Sequence, residues 1–274
     1  MKLLLIFILY NCPISDYQEK LNNTPLHTLE SGSEFIALTY SLFNTQCQSS
    51  EQQDSIFVIF DEFYERYADE QTYHFYDHYV PSYYRDKYSN MSKKYTDSLT
   101  SAGLVLKMTE TDEMYVSFSP EVYIKLFTNS NSQSLNKYVK MFLTEEDFGE
   151  GYSGDFDVLV NRIKNWETSL IAAKNPDLIN KNLRYFMLYT RLFMAGLDNT
   201  DIFIYDPEIQ GDGEMLTEFQ EIVIALAKDQ SHPLIFKLFK EYHAELKLHD
   251  YRYFKGIKSF YSEKTIRENL KKVQ

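Results

Sequence analysis

WETSLIAAKNPDLINKNLRYFMLYTRLFMAGLDNTDIFIYD, residues 166–206, holds two segments in which apolar side chains recur at helical spacing. The first segment begins upstream at Asp157, and the second runs from Pro176 to Ala195. Proline suits the first turn of a helix, and Gly196 is typical of a helix stop. A short connection makes consecutive helices antiparallel neighbours. The stretch therefore predicts an antiparallel helical hairpin.

A similar arrangement recurs nearer the carboxyl end of the chain. A predicted helix over residues 215–227 is followed by a short polar turn and by a second helix over 234–248. Pro233 takes the position that Pro176 has in the first hairpin. Repeated hairpins of this kind predict a short solenoid-like stack or a bundle.

The amino-terminal half of the chain is also mainly helical by pattern, with one change of period. Ser33 is a candidate N-cap for the first of its helices. The predicted helices cover residues 33–47, 54–70, 121–127 and 135–143. Residues 104–108 and 114–118 instead alternate in polarity on either side of a polar turn, which predicts a β-hairpin. The predicted fold class is mainly α, with antiparallel helical hairpins and one inserted β-hairpin.

The composition is that of a globular chain that is rich in tyrosine and negatively charged. Hydrophobic residues make up 44% of 274 residues, enough for a sizeable core, and the 23 tyrosines suit contact surfaces as well as cores. The formal net charge of −12 argues against a nucleic-acid ligand, because phosphate recognition needs a basic surface. A basic protein partner or a cation fits this charge better, although solubility alone also accounts for it.

The first twelve residues, MKLLLIFILYNC, combine Lys2, a short apolar run and Cys12. The run is too short to span a bilayer as a helix but fits an export signal. The segment resembles a bacterial lipoprotein signal, which implies that Cys12 is lipidated and anchors the chain to membrane lipid in the cell envelope. Tyr10 and Asn11 depart from the small residues that usually precede such a cysteine. A plain secretory signal or a first strand is the alternative.

This interpretation sets the predicted organisation of the chain. Residues 1–11 are the export signal, 12–32 a polar tether and 33–274 one mainly helical domain, with a subdivision into 33–150 and 151–274 left open. The anchored protein would face the periplasm or the cell surface, and without the anchor it would be secreted. Without lipidation, a disulfide between Cys12 and Cys47 becomes an option in an oxidising compartment.

Two histidines are candidate metal ligands. His74 and His78 are four residues apart, so a helix places them on one face, and imidazole pairs at this spacing bind zinc. The residue after His74 is Phe75, where a zinc metalloprotease signature requires glutamate. The alternative is a half-buried aromatic face whose histidines have ordinary hydrogen-bond partners.

Two acidic loops, residues 145–157 and 198–214, are candidate sites for a hard cation such as calcium or for acid–base chemistry. The candidate ligands are Asp147, Asp155, Asp157, Asp198, Asp201 and Asp206. Neither loop matches an EF-hand, since the spacing is wrong and Thr217 occupies the twelfth position counted from Asp206. The structural alternative is helix capping in the first loop and turn formation in the second.

The opening stretch resembles a block found in uncharacterised exported or lipid-anchored bacterial proteins with tetratricopeptide-like helical hairpins. The resemblance covers about a sixth of the chain and implies no particular activity. The full 34-residue tetratricopeptide consensus is absent. The residues that carry the resemblance are Trp166, Glu167, Pro176, Tyr185, Tyr189, Gly196, Asp198, Asn199 and Thr200.

The function predicted from these features is non-catalytic. The sequence contains no G-x-S-x-G, glycine-rich phosphate loop, Cys-x-x-Cys or His-Glu-x-x-His motif, and it implies no cofactor apart from the calcium considered above. We expect a helical scaffold that presents tyrosine-rich and acidic surfaces to a protein partner. Two alternatives remain: an immunity-type inhibitor of a basic toxin, and a cation-dependent hydrolase that uses the loops 145–157 and 198–214.

Overall fold

The computed structural model describes residues 12–78, 90–108, 114–145, 155–197, 200–206 and 211–274. Within them the chain is mainly α, as predicted, and forms two compact units, unit 1 (residues 1–143) and unit 2 (residues 144–274). The predicted export signal, residues 1–11, lies outside the described residues. Among the described residues, no helix combines the length and the apolar character needed to cross a bilayer.

Unit 1 is built around one long helix, α3. Its helices are α1 (Ile14–Asn22), α2 (Leu29–Ser41), α3 (Ser50–His78), α4 (Asn90–Ser101), α5 (Pro120–Phe127) and α6 (Gln133–Phe142), and a π-helical turn, Leu42–Gln46, follows α2. Helix α3 packs against α1, α2 and a β-hairpin. Phe57, Phe60, Phe63 and Tyr64 on α3 are fully buried, so aromatic side chains make the centre of this unit.

The segment predicted as a tether is part of the folded unit. Helix α1 begins at Ile14, and Tyr17 and Leu21, four residues apart, are buried by packing on the unit's core. The Tyr17 hydroxyl lies 2.7 Å from the Thr39 hydroxyl, which joins α1 to α2. Helix α2 also begins earlier than predicted, at Leu29, so Ser33 is not its N-cap. The tether interpretation was wrong because two buried side chains suffice to dock a short polar helix.

Cys12 and Cys47 form a disulfide in unit 1. Cys47 is fully buried at the end of the π-helical turn. This is the alternative pairing that the sequence left open. A lipid thioether at Cys12 would need the same sulfur atom, so the disulfide-bonded chain and the lipidated chain are mutually exclusive chemical species.

The predicted β-hairpin is confirmed. Strands β1 (Leu104–Met108) and β2 (Met114–Phe118) are antiparallel, and Leu106 pairs with Val116. The Thr72 hydroxyl of α3 accepts a hydrogen bond from the Val116 N–H at 2.9 Å. A two-stranded hairpin is marginal by itself, so its packing on α3 is what stabilises it.

Unit 2 consists of two helical hairpins and a final helix. Its helices are α7 (Phe156–Ala172), α8 (Pro176–Ala195), α9 (Thr217–Leu226), α10 (Pro233–Leu248) and α11 (Glu263–Val273), with a 3₁₀ turn at Ile257–Ser259. Helix α8 has the predicted bounds, the Asn175 side chain accepts hydrogen bonds at its start, and Gly196 follows it with a φ of +79°. Helix α7 packs on α8, and α9 packs on α10, as the repeated pattern predicts.

A second β-hairpin occupies part of the acidic stretch that we interpreted as turns. Strands β3 (Phe203–Asp206) and β4 (Gly211–Met215) pair in antiparallel fashion. Strand β4 also exchanges hydrogen bonds with a later segment, because the Tyr253 N–H donates to the Gly213 carbonyl. The prediction of a single β-hairpin was therefore incomplete. Strand β4 is rich in glycine and aspartate, and the segment around Tyr253, about forty residues further along the chain, helps to order it.

Candidate protein-binding surface

Helix α3 separates an apolar face from a charged face along a length of about 43 Å, at 1.5 Å per residue. On the buried side, the Tyr123 hydroxyl donates to an Asp61 carboxylate oxygen at 2.5 Å, and both side chains are buried. Burial raises the pKa of Tyr123, and the neighbouring Asp61 carboxylate raises it further. This anchored face fixes which residues of α3 point to solvent.

The exposed face of the second half of α3 carries a continuous set of acidic and tyrosine side chains, which we call the acidic–tyrosine stripe. At 100° per residue its members fall within roughly 140° of the helix circumference. All of them are exposed. The stripe consists of Glu62, Glu65, Arg66, Asp69, Glu70, Tyr73, Tyr76 and Asp77.

The stripe is strongly negative. It holds five carboxylates and one guanidinium, a formal charge of −4 within sixteen residues of helix. The Arg66 side chain donates to the Glu62 backbone carbonyl at 3.3 Å. A surface of this charge attracts basic partners at long range and repels acidic ones.

Two tyrosines interrupt the carboxylates of the stripe. The exposed fraction is 70% for Tyr73 and 42% for Tyr76, although many other tyrosines of this chain are buried. Tyrosine offers a large contact area at a low cost in side-chain entropy, and it is enriched among residues that dominate binding energy at protein interfaces. The combination of exposed tyrosines and carboxylates is therefore suited to contact with a protein.

The histidine pair does not form a described metal site. His74 lies on α3 outside the stripe, is half-buried and interacts with neighbouring residues. The side chain of His78 lies outside the described residues. Among the residues whose positions are described, no group of three or more histidine, cysteine, aspartate or glutamate side chains is arranged to hold a metal ion.

The acidic loops are described only in part. Asp147 and Asp198 lie outside the described residues, as does the side chain of Asp206. Asp155 is the N-cap of α7, where its side chain accepts the Asp157 N–H at 2.8 Å. Asp201 is exposed. Asp155 therefore has the capping role that was considered for the first loop. The calcium and hydrolase hypotheses stay predictions.

Glu145, at the start of the first acidic loop, is a structural carboxylate. One of its oxygens accepts the Trp166 indole N–H at 2.7 Å, and the other accepts the Tyr189 hydroxyl at 2.5 Å. The Arg162 guanidinium lies 3.9 Å from the second oxygen. Burial raises the pKa of Tyr189, and its hydrogen bond to Glu145 raises it further. This carboxylate therefore joins the loop to both helices of the first hairpin.

A second buried carboxylate, Glu167 on α7, caps the start of α10. One oxygen accepts the backbone N–H groups of Leu234 and Ile235 at 2.5 and 3.0 Å, while the residue is only 1% exposed. The N-cap residue, His232, makes no side-chain cap of its own. Burial raises the pKa of Glu167, and the Asp229 carboxylate raises it further. The two backbone hydrogen bonds and His232 lower it, so they offset part of this rise.

We expect Glu167→Gln to change how the stability of unit 2 depends on pH. The folded-state pKa of Glu167 is raised above 4.5, so ionisation favours the unfolded chain as the pH rises from about 4.5 through the folded-state value. Glutamine retains a side-chain oxygen that can accept the backbone hydrogen bonds, but it does not ionise. The stability of the variant relative to wild type should therefore increase from pH 4 to pH 7.

Urea unfolding followed by the fluorescence of Trp166, the only tryptophan, measures this difference in unit 2. Glu221→Gln, at an exposed position on α9, is the matched control and should show no such trend. A stability difference between Glu167→Gln and wild type that is constant from pH 4 to pH 7 would contradict the role of this ionisation.

Comparisons of the chain with protein-family models, with curated proteins and with solved structures found no match. An acidic, tyrosine-rich surface was expected from the composition, but its position on α3 was not. The signal was present in the helical spacing from Glu62 to Asp77, in which charged residues recur opposite the buried aromatic residues.

Proposed function

We propose that this protein is an exported, non-catalytic helical scaffold that binds a basic surface of a partner protein through the acidic–tyrosine stripe of α3. The observation that carries the proposal is the exposure of Tyr73 and Tyr76 among five carboxylates on one rigid helix. The aromatic rings provide the contact area, and the carboxylates provide selectivity and fast association. An immunity-type inhibitor of a basic toxin is one specific form of this proposal.

Export is supported by two features of the chain. The apolar run before Cys12 fits an export signal, and a Cys12–Cys47 disulfide persists in an oxidising compartment. The proposal also covers a second chemical form of the exported chain, in which Cys12 carries a lipid anchor and Cys47 is left as a thiol. Mass spectrometry of the exported protein distinguishes the two forms.

Replacing Tyr73 by alanine is expected to weaken partner binding by roughly 30-fold or more, the usual loss for a tyrosine at the energetic centre of an interface. A photo-reactive phenylalanine analogue at position 73, used in the native cell envelope, should cross-link one protein. Calorimetry with that purified protein then gives the dissociation constant of wild type and variant. The dissociation constant should also rise with salt, because the partner surface is basic.

Tyr253→Ala is the control, because Tyr253 is also an exposed tyrosine, at 42%, but lies in unit 2. It should leave the dissociation constant unchanged. The proposal is contradicted if the cross-linked protein binds Tyr73→Ala as tightly as wild type, or if its binding is insensitive to salt. Cross-linking from position 253 and not from position 73 would place the interface elsewhere.

A further inference from the structure

Unit 2 has a basic groove between α8 and α11, which contrasts with the net charge of −12 for the whole chain. Helix α8 carries three basic residues and one acidic residue, and α11 carries four basic and two acidic residues, a formal charge of +2 on each helix. The groove is an open cavity of about 450 Å³. It is lined by Asn180, Leu183, Arg184, Met187, Glu263 and Arg267.

Arg267 is held in position on the wall of this groove. Its Nε donates to Glu263 at 2.7 Å, and its Nη2 donates to the side-chain oxygen of Asn180 on α8, also at 2.7 Å. A guanidinium has five N–H donors, so these two bonds leave three for a ligand. The Glu263 carboxylate is already engaged by Arg267. Fixing the guanidinium in advance lowers the entropy that a ligand must overcome.

Arg184 provides a second guanidinium in the same groove. It is exposed and forms no hydrogen bond or ion pair with any residue that the structure describes. It follows Asn180 by four residues, which places it about 6 Å further along α8 on the same face. Arg184 and Arg267 both line the groove, and the bond to Asn180 ties Arg267 to the turn of α8 that precedes Arg184.

The chemistry of the groove favours an acidic peptide. Guanidinium groups bind carboxylates through paired N–H donors. Met187, one turn after Leu183, is half-exposed and apolar, so a side chain next to the acidic residue has an apolar surface to contact. A small inorganic anion would use only the charged part of this surface.

We propose that the α8–α11 groove binds an acidic segment of a partner protein, with Arg184 and Arg267 binding its carboxylates and Met187 contacting an adjacent apolar side chain. This site is separate from the acidic–tyrosine stripe and has the opposite charge preference. It does not rest on the function proposed above, because its residues and its ligand class are different.

Selection from a phage-displayed library of random dodecapeptides tests this proposal on the full chain. Peptides recovered with the wild-type protein should be rich in aspartate and glutamate and should include an apolar residue. We expect Arg184→Glu to weaken the binding of a recovered peptide by at least about tenfold, since charge-assisted hydrogen bonds are lost and repulsion is added. Fluorescence polarisation with the labelled peptide gives the affinity.

Lys228→Glu is the matched control because it changes the net charge equally at an exposed position of unit 2 outside the groove. It should retain the affinity within about twofold. Arg184→Glu should unfold at the same urea concentration as wild type, so a failure to fold is detected separately. Failure to recover acidic peptides, or equal affinity for wild type and Arg184→Glu, would overturn the proposal.

Sedimentation of the purified protein decides whether the occupant is instead a second copy of this chain. The proposal expects a monomer at concentrations up to about 100 µM, since a net charge of −12 opposes self-association. Self-association that Arg184→Glu abolishes and Lys228→Glu retains would overturn the proposal of a separate partner. The affinity of Tyr73→Ala for the recovered peptide should equal that of wild type.

Discussion

Glu145→Ala is expected to lower the free energy of unfolding of unit 2 by about 3–5 kcal/mol, which is a large fraction of a typical domain's stability. The substitution removes the acceptor for the Trp166 indole N–H and for the Tyr189 hydroxyl, and both residues are fully buried. It also leaves the Arg162 guanidinium without this carboxylate. Each polar group that loses its partner inside the protein adds a desolvation penalty.

Urea unfolding monitored by Trp166 fluorescence measures this loss, and Glu145→Gln makes the test specific. Glutamine offers one carbonyl acceptor where the carboxylate offers two, so we expect an intermediate loss of about 1–3 kcal/mol. Glu221→Ala, at an exposed helical position, should stay within about 0.5 kcal/mol of wild type. Equal stabilities for Glu145→Ala and Glu221→Ala would show that the Glu145 contacts contribute nothing in solution.

Replacing both Cys12 and Cys47 by alanine is expected to destabilise unit 1 by roughly 4 kcal/mol. The two cysteines are 35 residues apart, and closing a loop of that length restricts the unfolded chain by about this amount. Helix α1 follows Cys12 directly, so its docking through Tyr17 and Leu21 should weaken first. Thermal unfolding followed by circular dichroism measures the change, with Trp166 fluorescence reporting unit 2 separately.

Wild-type protein treated with a reductant should lose the same stability, because the covalent loop is opened without any change of sequence. The double alanine variant should be insensitive to reductant. A Cys47 thiol that is alkylated in the unreduced protein, together with a lipid mass on the Cys12 peptide, would contradict the disulfide and establish the anchored form.

The elements that were predicted correctly are those whose signals are local. The α7–α8 hairpin follows from helical spacing, a proline after Asn175 and a glycine at position 196. The β1–β2 hairpin follows from alternation on either side of a polar turn. In each case, the residues that decide the structure lie within one hairpin of the chain.

The elements that were missed depend on distant partners. Helix α1 was interpreted as a tether because its few apolar residues are meaningful only against the core that covers them. Strand β4 needs β3 and the segment around Tyr253, and glycine and aspartate give no strand signal of their own. The segment was therefore predicted as turns, although its neighbours hold it as a strand.

The acidic–tyrosine stripe and the α8–α11 groove also differ in whether their sequence signals are local or distant. The acidic–tyrosine stripe lies on a single helix, so its exposure follows from the spacing of Glu62 and Tyr73 relative to the buried face. The groove depends on Arg184 and Arg267, which are 83 residues apart and line one cavity only after folding. The capping role of Glu167 was also invisible, because a carboxylate that binds backbone N–H groups has the same sequence signature as one in solvent.

The two hairpins of unit 2 stabilise each other's helix ends. Glu167, on the first hairpin, accepts the N–H groups at the start of α10, on the second. Tyr242, on the second hairpin, donates its hydroxyl at 2.7 Å to the Met194 carbonyl near the end of α8, on the first. Each hairpin therefore satisfies polar groups that the other leaves open. In an ideal solenoid the repeats can fray one at a time, whereas we expect these hairpins to open together, because opening one leaves helix-end groups of the other without partners.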